Sequence, residues 1–134
     1  MTLYVDSSAL AKRYVTEADS DAAETILLND PDWVSANHTF VEVVLALTRR
    51  LDDPDIGLAL SGFDSDWRRT LVVGLDDAVC RRAAEIGRVT GSRTLDALHL
   101  AAAERAGGRS LPFVTFDLRL AQAARALGFA VIGA

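Results

Sequence analysis

Short apolar runs alternate along this chain with longer amphipathic stretches, and the boundaries carry residues that start or stop helices. Leu3-Tyr4-Val5 ends at Asp6-Ser7-Ser8, a helix-start signature, and a short helix is predicted from Ala9 to Tyr14. A second helix runs from Asp19 or Ser20 to Leu28 and is closed by Asn29-Asp30-Pro31. Trp33-Val34-Ser35 reads as a strand. After Asn37-His38-Thr39 a strongly apolar helix spans Phe40 to Arg50, until Asp52-Asp53-Pro54 stops it. Ile56 to Arg69 has a helical pattern weakened by Gly57 and Gly62, and Leu71-Val72-Val73 is a third strand. Asp76-Asp77 open a helix that reaches Val89 and stops at Gly91. Thr94-Leu95-Asp96 start another, Ala97 to Ala106, ended by Gly107-Gly108. Pro112 to Phe116 is the fourth strand, Asp117 begins a last helix to Leu127 with Gly128 as its cap, and Phe129 to Ile132 form a fifth strand.

Strands that alternate with helices imply βαβ units, a mostly parallel sheet of about five strands and a compact three-layer α/β/α sandwich. At 134 residues, the chain is expected to be one domain spanning residues 1–134. The single cysteine, Cys80, excludes an internal disulfide framework, fits a reducing compartment and is expected to be a small buried apolar residue. His38 and His99 lie far apart in sequence, so a zinc site would need several carboxylates as well. No basic segment followed by a long apolar stretch opens the sequence, and no apolar run approaches the roughly 18–20 residues that span a membrane. A soluble, cytoplasmic protein is expected. The net charge of −5, with Lys12 the only lysine, makes the chain a poor non-specific binder of nucleic acid. Any such role must be local to a site.

Four carboxylates change this picture. Ligands of a parallel sheet bind at the carboxyl ends of its strands, and the crossover helices begin at that same edge. Asp6 follows the first strand and Asp117 the fourth. Asp96 lies in the first turn of the helix that feeds the fourth strand, and Glu42 about one turn into the helix after the second. All four therefore fall on one rim. Singly, Asp6 and Asp117 also read as helix caps and Asp96 as an acid that complements a helix dipole. Glu42 is harder to explain that way, because Phe40 to Leu47 leaves almost no solvated face. A buried carboxylate there needs a partner, either an arginine or a cation. A cation accounts for all four acids together. Carboxylate oxygens are hard ligands suited to Mg²⁺ or Mn²⁺, and such ions support water attack on phosphorus.

The segments Tyr4-Val5-Asp6-Ser7-Ser8-Ala9-Leu10, Phe40-Val41-Glu42-Val43, Thr94 to Ala103 and Val114-Thr115-Phe116-Asp117-Leu118-Arg119-Leu120 resemble a PIN domain, and more narrowly the VapC toxins of toxin–antitoxin pairs. The resemblance covers essentially the whole chain. It implies a strand order of 3-2-1-4-5 and a Mg²⁺- or Mn²⁺-dependent endoribonuclease that cleaves single-stranded regions of RNA. On the matching positions, Asp6, Asp96 and Asp117 would hold metal directly or through water, and Glu42 would orient a metal-bound water or a second ion. Ser8 and Thr115 match the family's supporting hydroxyls. The resemblance also implies a homodimer and a VapB-like antitoxin that lays a segment over the acidic site. Segment 53–74 carries no family signal.

Arg93, Arg119 and Lys12 are candidate contacts to RNA phosphates, set against ordinary surface or ion-pairing roles. His99 reads as a satisfied core or interface histidine rather than a general base, and Trp33 and Trp67 as packing residues. Other readings are a PIN nuclease of RNA processing that is not a toxin, and a non-catalytic binding module on the same fold. A phosphoryl-aspartate hydrolase would need a second Asp just after Asp6 and a late lysine, and neither is present.

Overall fold

A computed structural model describes residues 2–134. Five parallel strands form one sheet in the order β3-β2-β1-β4-β5: β1 (Thr2–Val5), β2 (Asp32–Ala36), β3 (Leu71–Val73), β4 (Phe113–Thr115) and β5 (Val131–Gly133). Register is fixed by pairs such as Tyr4 with Val34 and Val5 with Val114. Seven α-helices connect them: α1 (Ser7–Ala11), α2 (Ser20–Asn29), α3 (Asn37–Arg50), α4 (Asp55–Arg68), α5 (Asp77–Thr90), α6 (Thr94–Ala106) and α7 (Leu118–Ala126). The mostly parallel sandwich and the 3-2-1-4-5 order are as expected.

The strands' two-residue alternation divides the core into two layers. On one face Tyr4, Val34 and Phe113 pack against Val79 and Ile86 of α5, Leu100 of α6 and Leu120 of α7. On the other, Leu3, Val5, Trp33 and Val114 pack against Leu10 of α1, Leu27 of α2, Leu47 of α3 and Phe63 of α4. The central strand β1 is buried on both sides, so its end is held rigidly where the acidic rim begins.

Local chemistry moves several boundaries. α1 starts at Ser7 because Asp6 caps it, and it tightens after Ala11 into bonds from Arg13 N to Leu10 O and from Tyr14 N to Ala11 O. At the end of α7, Gly128 adopts φ +90° and the Phe129 amide returns to Ala124 O at 3.0 Å, which seats Phe129 in the core and delays β5 to Val131.

Two expectations fail. Cys80 is exposed: α5 buries Val79, Ala83 and Ile86, and Cys80 falls one position off that stripe. α3 does have a solvated face. It buries Thr39, Val43 and Leu47, one residue per turn, and leaves Val41 and Leu45 exposed although both are apolar. Trp33 and Trp67 pack as expected. Trp33 donates from Nε1 to Leu27 O and Asp30 O, and Trp67 lies against Phe40 and Phe63. Among the described residues, no helix is long and apolar enough to cross a membrane.

Candidate active site

β1 and β4 end side by side, and α1 and α7 begin at that edge. Asp6, the residue after β1, and Asp117, two residues after β4, are consequently brought together. Asp6 caps α1 by accepting from the Ala9 amide at 2.9 Å. Ser8 Oγ, two residues along, lies 2.8 and 2.9 Å from the two Asp6 oxygens. Thr115, the last residue of β4, donates to Asp6 Oδ2 at 2.6 Å. The same Thr115 oxygen accepts the Asp117 amide at 3.1 Å, and Asp117 in turn caps α7 through Arg119 N and Leu120 N. One buried hydroxyl therefore ties two acids to each other across adjacent strands. Both are caps as well as members of the rim, so the capping reading and the cation reading hold at once.

α6 adds Asp96 in its first turn and α3 adds Glu42 in its second. A cavity of about 420 Å³ is lined by all four acids together with Ser8, Arg93 and His99. Burial raises the carboxyl pKa of Asp6 against its hydroxyl and amide donors, Thr115, Ala9 and Ser8. Asp96 is also raised, first by burial and then by the charge of Asp117. Its nearest cation is the Arg93 guanidinium at 3.7 Å, beyond hydrogen-bond reach and largely exposed. The rim thus holds more negative charge than its own side chains neutralise, and its donors are hard oxygens. That set fits a divalent cation of the Mg²⁺ or Mn²⁺ kind.

Glu42 has a partner that the sequence did not suggest. His99 Nε2 lies 2.8 Å from Glu42 Oε1, and His38 Nε2 lies 3.5 Å from the same oxygen. Burial raises the Glu42 carboxyl, but the hydrogen bond from His99 leaves it below its usual range. The side chain that meets it is a histidine, not the arginine alternative. The two histidines, distant in sequence, have ring centroids 4.2 Å apart. With Glu42 they bring one donor atom each within 4.8 Å of one another. His99 is buried and satisfied, as expected, but its partners are Tyr4 and a rim acid. The available signals were spacings: His38 is four residues before Glu42 on one helix, and His99 is three after Asp96 on another.

Two grooves continue from the acid cavity. One, about 550 Å³, shares Ser7, Ser8, Glu42 and Leu95 with it and has Val41 and Leu45 on its wall beside the charged Lys12, Glu17, Arg49 and Arg50. The other, about 560 Å³, shares Arg93 and Asp96 and reaches Arg119 and Gln122. Arg93 and Arg119 therefore border the acids as the sequence suggested. Lys12 lines the first groove but is already paired, at 2.7 Å from Glu17 and 2.9 Å from Asp19, with its ammonium over the Phe116 ring.

The strand order, the convergent acids and a match to the PIN domain over residues 3–126 define the class: the chain belongs to the PIN-domain family, and it is of the VapC type. It is 34% identical over 134 residues to ribonuclease VapC35 of Mycobacterium tuberculosis, covering 97% of this chain and 95% of that protein. Ribonuclease VapC46 of the same organism is 35% identical over 130 residues, with the same coverage of 97% and 95%. In fold the chain resembles M. tuberculosis VapC20, a sarcin–ricin-loop-cleaving toxin, with a TM-score of 0.76 at 20% identity over 98% of this chain and 99% of that one.

Proposed function

We propose that the chain is a divalent-metal-dependent endoribonuclease that cleaves single-stranded regions of RNA and serves as the toxin of a toxin–antitoxin pair. The observation that carries this reading is the single cavity lined by Asp6, Glu42, Asp96 and Asp117, with one long contact to Arg93 as its nearest guanidinium neutralisation. The full-length likeness to proteins named ribonucleases supplies the substrate class.

Asp6, Asp96 and Asp117 would hold Mg²⁺ or Mn²⁺, which when bound supplies charge neutralisation at the phosphoryl oxygens and acidifies a coordinated water. Asp6 enters that role already fixed by Ser8, Thr115 and the Ala9 amide, so little conformational freedom remains to be lost. Glu42 approaches from α3 and orients the attacking water. Arg93 and Arg119, at the mouth of the polar groove, take phosphates on one side of the scissile bond. Lys12 has a weaker claim, because Glu17 and Asp19 already occupy it.

Solved relatives of this fold include a toxin–antitoxin complex from Klebsiella pneumoniae, matched with a TM-score of 0.68 at 14% identity. By analogy we assign this chain a VapB-like antitoxin, which would lay a segment bearing a basic side chain over the acid cavity, and a homodimeric state. The direct test is cleavage of single-stranded RNA with Mg²⁺ or Mn²⁺, comparing wild type with Asp6→Ala and Asp96→Ala. Activity that survives both substitutions, or that persists in a chelator, refutes the mechanism. Growth arrest on expression, relieved by a small neighbouring gene product, tests the toxin role separately.

A further inference from the structure

We infer that Tyr4 and His99 are positioning residues that fix the Glu42 carboxylate in the acid cavity through a directed hydrogen-bond relay. The geometry stands by itself; its consequence for catalysis rests on the nuclease reading above.

Glu42 differs from the other rim acids. Asp6 and Asp117 are locked by backbone amides as helix caps, whereas Glu42 projects from the second turn of α3 on a longer side chain. Besides Ser7, what holds it comes from β1, which ends at Asp6, and from α6, which carries Asp96. Tyr4 is two residues before Asp6 on β1, and His99 is three residues after Asp96 on α6, spacings that keep each pair on one side of its element. The pair therefore registers α3 against the rest of the rim.

The direction of the relay follows from burial. Tyr4 is 0% exposed, and its hydroxyl lies 2.7 Å from His99 Nδ1. The Tyr4 oxygen already accepts from the Ala36 amide and is bonded by Ser35, so its own proton is the one left for Nδ1, and a buried O–H without an acceptor would lose the full solvation of that group. Nδ1 is then an acceptor, the imidazole proton sits on Nε2, and Nε2–H donates to Glu42 Oε1 at 2.8 Å. Ring packing fixes both partners. Tyr4 stacks on Phe113 at 5.0 Å and meets His99 edge-on at 5.9 Å, while His38 covers His99.

This assignment decides what His38, Glu42 and His99 do together. As ligands of a transition metal, His99 would need its Nε2 lone pair free and its proton on Nδ1, which would leave the Tyr4 hydroxyl proton without its acceptor. His99 is a strut for one carboxylate oxygen, His38 packs over the His99 ring with its Nε2 on Leu95 O at 3.1 Å, and the trio is not a second metal centre.

The test has two arms on the full chain. Long-range ¹H–¹⁵N spectra of the imidazoles report the tautomer whether or not the protein cleaves anything. The expected result is a proton on His99 Nε2 in wild type, and a shift toward mixed tautomers in Tyr4→Phe, which keeps the ring stack. A proton on Nδ1 in wild type overturns the relay. In the second arm, RNA cleavage with Mn²⁺ is measured for Tyr4→Phe, His99→Leu and His99→Gln. Outer partners of metal ligands typically contribute 10–100-fold, so His99→Leu should lower kcat by about that factor with KM for RNA unchanged. Tyr4→Phe should fall in the same direction by less. His99→Gln, which restores a donor near the Nε2 position, should recover part of the loss. Wild-type kcat in all three variants overturns the positioning role even if the tautomer is as stated. A wild type inactive on every RNA removes the nuclease reading and the catalytic role with it, and the tautomer result still judges the relay.

Discussion

Replacing Thr115 with valine should cripple the site while barely changing its shape. The hydroxyl is fully buried, donates to Asp6 Oδ2 at 2.6 Å and accepts the Asp117 amide at 3.1 Å. Valine keeps the volume and deletes both bonds. A hydrogen bond to a charged acceptor contributes about 1.5–3 kcal/mol, and an amide left without its acceptor adds on the order of 1 kcal/mol. Asp6 retains Ser8 and the Ala9 amide, so the total should lie near the lower part of that range, about 3 kcal/mol. At about 2.1 cal/mol/K of unfolding entropy per residue, 134 residues convert this into a fall in Tm of about 11 °C. Thr115→Ser loses one methyl group and keeps the hydroxyl, so it should cost only about 1 kcal/mol, or about 4 °C. Circular dichroism melts check the stabilities, and calorimetric titration with Mn²⁺ checks the site. The expected order of metal affinity is wild type, then Thr115→Ser, then Thr115→Val well below both. A Thr115→Val protein with wild-type stability and wild-type Mn²⁺ affinity would show that the acids do not depend on this hydroxyl, and the account of how they are held would be wrong.

Further outcomes follow from charge and backbone. Asp96 is raised by burial and by Asp117, so Asp96→Asn should melt higher than wild type without metal and lose the stabilisation that Mg²⁺ or Mn²⁺ confers; thermal shift with and without metal checks both. Asp66 is buried yet held below its usual range, because the bonds from Tyr14 Oη at 2.5 Å and Arg13 Nε at 2.8 Å outweigh the upward push of burial. Its folded pKa is depressed, so its contribution is present above the unfolded value of about 3.9 and is lost as pH falls below it. Asp66→Asn should therefore destabilise the protein by about 3 kcal/mol at neutral pH and flatten the acid limb of its stability curve, read by urea melts from neutral pH down through that range. Gly128→Ala places a side chain at φ +90° and should cost about 1–2 kcal/mol in the same assay, with RNA cleavage at low temperature unchanged.

Much of the fold was legible because it is written locally. Helix starts at Asp6, Asp76 and Asp117 and the Gly91 and Gly128 stops are side-chain and backbone chemistry within one turn, and parallel connectivity then forces the acids to one edge. The legible part of the site is the part that follows from topology, Asp6, Glu42, Asp96 and Asp117; Ser8 and Thr115 came only from the family resemblance. What could not be read depends on how faces meet across the fold. The side of α3 that turns to solvent is decided by which residues β2 and α4 leave room for, so its apolar run suggested burial for Val41 and Leu45 that the packing does not provide. Cys80 failed for the same reason, one step off a stripe that only the assembled core defines. The partner of Glu42 comes from a helix far along the chain, and no local pattern links His99 to it. Lys12 is the only lysine and adjoins the site in sequence, but nearby Glu17 and Asp19 claim it in three dimensions.

The double duty of two rim acids bears on how such a site decays. Asp6 and Asp117 each terminate a helix, so a descendant freed from the need to cut RNA would still be under pressure to keep an acceptor side chain at both positions in order to fold. Asp96 makes no such bond, and its crowding by Asp117 opposes folding, so drift would remove it first. Among proteins built on this plan, retained acids after the first and fourth strands attest to a folded chain. The acid in the first turn of α6 is the one whose presence attests to a working enzyme.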